Sequence, residues 1–138
     1  MRTAIDTNVI SAIWSNESSA QRIVAQLGEA RAEGALLISP VVFAELLAYP
    51  GATAAFVREF LETTGILTDY RLGEQVWKEA GERFAHYAIR RRQASGVLPK
   101  RLLADFLIGA HALVQADRLM TLDASRYRQD FPEVLLLQ

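Results

Sequence analysis

Asp6 follows the apolar triplet "TAI" in the opening stretch "MRTAIDTNVI". A carboxylate in such surroundings is expensive unless something pairs with it, so it either caps the following helix or holds a cation. Three other acids share that predicament: Glu45 in "VVFAELLAY", Asp105 in "LLADFLIGA" and Asp123 in "LMTLDAS". Neither of the first two segments carries a base of its own, and a lone charge on a core-facing helix surface is rare unless paired. A shared divalent cation satisfies all four. It would also make a water ionise more readily and stabilise the charge developing on a scissile phosphate, so the pattern points to metal-assisted phosphate or phosphodiester chemistry. Without the ion, packed acids repel, which raises their pKa values and weakens the site. Each acid also has a plainer reading. Asp6 in "DTN" and Asp123 in "TLDAS" are good capping residues, and Glu45 and Asp105 can pair with arginines from elsewhere in the chain.

The kind of cation follows from what the chain lacks. It has no cysteine and only two histidines, His86 and His111, which leaves oxygen ligands and a hard ion such as Mg2+ or Mn2+ rather than zinc. His111 lies six residues after Asp105, about 240° around a helix, and so is expected to pack or to face solvent away from the acids. With 15 Lys and Arg against 16 Asp and Glu, the net charge of −1 gives no general attraction to nucleic acid, and only a local patch can supply one. Hydrophobic residues make up 51% of the 138, enough for a full core and against disorder. No stretch approaches the roughly 20 apolar residues of a membrane span, and no leader pattern opens the chain, so a soluble cytoplasmic protein with no membrane partner is expected.

The elements that must position these acids read as short apolar strands alternating with helices. "TAI", "ALLIS", "GIL", "RLMTL" and "EVLLL" are strands. Helices are expected after Asp6 through Trp14, over 18–33 with Ile23, Val24 and Leu27 on one face and a stop at Gly34, from Pro40 to Tyr49, over 53–63, from Leu72 to Ala94, and from Pro99 onward. Ser39-Pro40 places serine at a cap and proline at the first helical position. In the long 72–94 helix Leu72, Val76, Trp77, Ala80, Phe84 and Ala88 recur near the helical period. Such alternation argues for an α/β fold, a short parallel sheet covered on both faces, in one domain spanning 1–138.

In open α/β sheets ligands bind beyond the carboxyl ends of the strands. Asp6 and Asp123 both follow strands and so share that edge. Glu45 is five residues into the helix leaving the second strand, about 7–8 Å from the edge. The helix carrying Asp105 feeds the 118–122 strand and so begins at the same edge, with Asp105 about 9 Å along it. All four acids can converge.

The motifs "IDTNVI", "SPVVFAELL", "LLADFLIGAHAL" and "LMTLDASRYRQDFPEVLLL", in this order and spacing, resemble the PIN-domain family of metal-dependent ribonucleases, and within it the VapC-like toxins of toxin–antitoxin pairs. The resemblance covers nearly the whole chain. It implies a three-layer α/β/α sandwich around a sheet of four or five parallel strands. It also implies an acidic metal site at Asp6, Glu45, Asp105 and Asp123, with Thr7, Asn8 and Thr121 orienting carboxylates or water. The activity it implies is endoribonuclease cleavage by metal-activated water with Mg2+ or Mn2+, in a homodimer held inactive by a cognate antitoxin.

Arg90, Arg91, Arg92, Lys100 and Arg101 cluster around "IRRRQASGVLPKR", beside the helix of Asp105. They read either as cations suited to a helix C-terminus and a solvated turn or as RNA contacts gripping phosphate. Trp14, Phe43, Leu47, Tyr49, Phe56 and Phe60 are mostly core, with some available to a partner groove. Two rival functions remain at this point. A haloacid-dehalogenase-like phosphatase, with Asp6 attacking covalently, wants a second aspartate two residues on, where the chain has Asn8. A non-catalytic regulatory module would use the acids only to hold a structural ion.

Overall fold

The computed structural model describes residues 1–94, 96 and 100–138. Five three-residue strands, β1 (Thr3–Ile5), β2 (Leu36–Ile38), β3 (Ile66–Thr68), β4 (Arg118–Met120) and β5 (Leu135–Leu137), pair in the order β3-β2-β1-β4-β5. Every pairing is parallel. Among the described residues seven helices alternate with these five strands: α1 (Thr7–Trp14), α2 (Ala20–Glu33), α3 (Pro40–Leu47), α4 (Ala54–Thr64), α5 (Glu74–Gln93), α6 (Leu103–Gln115) and α7 (Ala124–Arg128). Parallel strands need crossovers, and the helices that make them cover both faces of the sheet, giving the expected α/β/α sandwich.

The central strands are the buried ones. All residues of β1 and β4 are buried, whereas β5 at the edge is exposed or half-buried. Where a polar residue enters these central strands it finds a partner: Arg118 Nε donates to Thr3 Oγ1 at 2.9 Å across the β1–β4 pair. Helix α6 packs against β1, β4, α3 and α5. Its residues Phe106 to Ala112 are accordingly all buried, the pattern of a helix enclosed on every side.

Local signals set the element ends. Ser39 caps α3, its hydroxyl accepting from Val42 N at 3.3 Å, with Pro40 at the first helical position. Gly34 ends α2 for lack of room, since a Cβ there would fall on the Met1 carbonyl oxygen.

Three details depart from expectation. Val24 is 54% exposed, because the buried stripe of α2 runs through Ala20, Ile23, Leu27 and Ala30, and a residue adjacent to Ile23 points about 100° away. Trp77 is 53% exposed on α5, although Val76 and Ala80 beside it are buried. Pro99, expected to open the helix of Asp105, lies outside the described residues, and α6 itself begins at Leu103.

Candidate active site

Four helices, α1, α3, α6 and α7, begin at the carboxyl edge of the sheet, and each brings an acid there, within the helix or at its cap position. Asp6 stands between β1 and α1 at the helix N-cap position, with extended backbone, yet its side chain does not cap the helix. Its Oδ2 instead accepts two hydroxyl hydrogen bonds, from Thr121 Oγ1 and Tyr127 Oη, each at 2.9 Å. The residue is only 2% exposed. Burial pushes its carboxyl above the usual aspartate range, opposed by those two hydroxyls, by the charge of Arg126 and by the neighbouring Thr7 amide.

Glu45 comes from α3, and its Oε1 accepts from Thr7 Oγ1 at 2.6 Å, which ties α3 to the first residue of α1. As a residue it is exposed, not core-facing as expected from its apolar neighbours. Helix α3 buries Val42 and Leu46 and turns Glu45 outward along the rim. Partial desolvation of its carboxyl end, then repulsion from Asp6 and Asp105, nevertheless raise its pKa, against the Thr7 hydrogen bond and the field of Arg126. An open apolar groove of about 610 Å³ over Val41, Ala44, Leu72 and Trp77 reaches Glu45 from one side.

Asp105 is the third residue of α6 and so lies closer to the edge than a helix starting at Pro99 would have put it. Its Oδ2 accepts from Leu102 N at 3.1 Å, fixing the helix start. Asp123 follows β4 and precedes α7. Its Oδ1 accepts from Ser125 Oγ at 2.8 Å, and its amide donates to Thr121 Oγ1 at 3.1 Å. Thr121 thus serves both Asp6 and Asp123, and Thr7 serves Glu45. Asn8 takes a different part: its Oδ1 accepts from the Leu122 amide at 3.2 Å, holding backbone rather than a carboxylate.

The residue that motif reading missed is Arg126. Its Nη1 donates to Asp105 Oδ1 at 3.2 Å, and its Nε lies 3.3 Å from Asp123 Oδ2. Burial alone would lower its pKa, but the charges of Asp105, Asp6 and Asp123 raise it. The plainer reading of Asp105, an ion pair with an arginine from elsewhere in the chain, is thus the arrangement seen. The base is supplied from α7, three residues past Asp123, a helical neighbour spacing that the sequence did contain. Tyr127, next in the chain, was missed as well.

Oxygen donors of this kind suit a hard divalent cation. In the arrangement described, however, the acids are held pairwise, and among the described residues no three stand together as a metal-holding group. Arg126 already holds two of the carboxylates that an ion would need.

The family model of the PIN domain matches residues 3–132, which includes all four acids. The chain belongs to the PIN-domain family. Its fold is similar to that of VapBC-1 from nontypeable Haemophilus influenzae, with 22% identity, a TM-score of 0.68, and coverage of 100% of this chain and 98% of that one. It is likewise similar to VapBC2 from Rickettsia felis, solved bound to a DNA fragment from their promoter, at 18% identity and TM-score 0.65 over 99% of this chain and 98% of that one. A third likeness is FitAcB from Neisseria gonorrhoeae, at 19% identity and TM-score 0.65 over 99% and 96%. Among curated proteins none matches in sequence.

The other candidates lie away from the acids of this PIN domain. His111 is 1% exposed and its Nε2 lies 3.0 Å from Asp69 Oδ2, so it packs rather than joining the site. Burial lowers its pKa, against the pull of Asp69. Of the basic cluster, Arg90 and Arg101 face the buried carboxylate of Asp130, as an ion pair and at 4.0 Å respectively. Arg91, Arg92 and Lys100 line an open cavity of about 390 Å³. No helix among the described residues is long and apolar enough to cross a membrane.

Proposed function

We propose that residues 1–138 form a single PIN-like nuclease domain, an endoribonuclease of the VapC-like toxin kind that hydrolyses RNA phosphodiester bonds with Mg2+ or Mn2+ and is restrained by a cognate antitoxin. One observation carries the reading. In a chain of this family, four carboxylates reach one sheet edge, two of them with pKa values raised by desolvation and, at Glu45, by repulsion from its neighbours. Asp6, Glu45, Asp105 and Asp123 would hold the ion. Once bound, it supplies easier ionisation of a water and neutralisation of charge on the phosphate.

The chain's own groups do the rest. Thr121 and Tyr127 aim the buried Asp6 and favour its charged form against burial, and Thr7 does the same for Glu45. Asn8 fixes the backbone after β4, so that Asp123 keeps its place at the rim. Arg91, Arg92 and Lys100 offer charge for RNA phosphates beyond the acids. The exposed apolar groove beside Glu45 and the VapBC structures of similar fold support a protein partner, and a homodimer is proposed with it.

The test is incubation of the pure protein with RNA and Mn2+. Cleavage is expected, stopped by EDTA and reduced by about 100-fold or more in Asp6→Asn and Asp105→Asn with the fold retained, the scale on which removing one group that stabilises transition-state charge slows an enzyme. Intact RNA in every condition would favour a module that only holds an ion. Unchanged cleavage by both variants would place the chemistry elsewhere.

A further inference from the structure

Arg126 is the one base that the described residues place on these acids. It contacts Asp105 and Asp123 directly, while its charge is felt at Asp6 and Glu45. Two other bases from the segment before α6, Arg90 and Arg101, face Asp130 instead. We propose that Arg126 is the resident counter-ion of the acidic site, a tethered cation that a divalent ion must displace and that therefore sets the concentration of Mg2+ or Mn2+ at which the site fills. This rests on the metal-dependent reading above and goes beyond it by naming what the metal competes with.

The geometry gives the competition its form. With the guanidinium in place, Asp105 and Asp123 converge on it, and Asp6 and Glu45 are held by hydroxyls. In that division no three acids group for an ion among the described residues. Arg126 is free to leave: its side chain is 36% exposed and stands on the five-residue α7 at the surface, so side-chain rotation alone releases both carboxylates. Partly exposed ion pairs are individually weak, and a guanidinium brings one charge where the metal brings two. A divalent ion therefore wins, but only above a threshold that the arginine raises.

The experiment is calorimetric titration of MnCl2 into the EDTA-stripped full chain, without RNA. Arg126→Gln is expected to bind Mn2+ about tenfold more tightly than the parent, and Arg126→Met, which keeps an unbranched stem, to behave alike. Arg126→Lys should fall near the parent, because it restores the charge. Arg128→Gln, which removes a charge from the same helix but not from the acids, should match the parent. In a parallel melting series, Arg126→Gln should melt lower than the parent without metal and gain more on adding Mn2+. Equal or weaker Mn2+ binding by both neutral variants overturns the inference, as does an equal gain in Arg128→Gln. If that happens while the parent still cuts RNA with Mn2+, the nuclease reading stands and only this inference fails. No Mn2+ binding by any of the proteins overturns both.

Discussion

At the scale of single residues, Asp6 is a charge kept in a place that disfavours charge. Its two hydroxyl partners and Arg126 offset the burial only in part, and the pKa stays raised. A carboxyl raised in the fold contributes stability that is present below its unfolded value, near 3.8, and is lost as pH rises through the folded value. In metal-free protein, Asp6→Asn should therefore be more stable than the parent at neutral pH, and the advantage should shrink as pH falls toward 4. Urea melts at several pH values would show this, and a gap constant with pH would mean that charge is not its cause. Tyr127→Phe keeps the ring in the core and removes one donor from the carboxylate. It should cost about 1.5–3 kcal/mol in the same melts, the usual worth of a hydrogen bond to a charged group.

At the scale of elements, α6 does two jobs, presenting Asp105 at its start and clamping the segment before α5 near its end. Gln115 Nε2 donates to Asp69 Oδ2 at 2.6 Å and to the Arg71 carbonyl at 2.9 Å, while its Oε1 accepts from Gly73 N at 3.0 Å. Gln115→Leu should cost about 0.5–1.5 kcal/mol and speed hydrogen exchange at the Gly73 amide, because this exposed backbone donor and the Arg71 carbonyl exchange a protein partner for water. In the middle of α6, a Cβ on Gly109 would overlap the Phe131 ring, itself fixed in the core. Gly109→Ala should thus destabilise by about 1–3 kcal/mol of overpacking, partly offset by better helix propensity, as thermal melts would report. The strands and most helices were legible because each carries its own signal, such as the apolar triplets or the Ser39-Pro40 start. The sheet edge shared by Asp6 and Asp123 was legible too, because parallel topology follows from the alternation of elements. The partners of Tyr127 and Asp130, 121 and 40 residues away, were not, and for Arg126 only the spacing to Asp123 could be read, its tie to Asp105, 21 residues away, needing the assembled sheet. The outward turn of Glu45 was hidden by the apolar residues on either side, which on a short helix face different directions.

At the scale of the molecule, a net charge of −1 leaves RNA attraction to a local face. Neutralising Arg91, Arg92 and Lys100 together should raise the KM for RNA several-fold with little change in kcat. It should also flatten the salt dependence of binding by about 0.7 in log–log slope for each single-strand phosphate that no longer meets a cation. Kinetics over a salt series would check both, and an unchanged slope would remove that face from RNA recognition. The β1–β4 pairing has a consequence of another kind. Asp6 is held by Thr121 and Tyr127, 115 and 121 residues further along, and β1 finds its β4 neighbour only at the same distance. A ribosome threading this polypeptide out from its amino end therefore emits the first acid long before the groups that seat it. A nuclease of the proposed kind is thus kept unassembled, by its own topology, for most of the time it hangs from the machine that is reading its message.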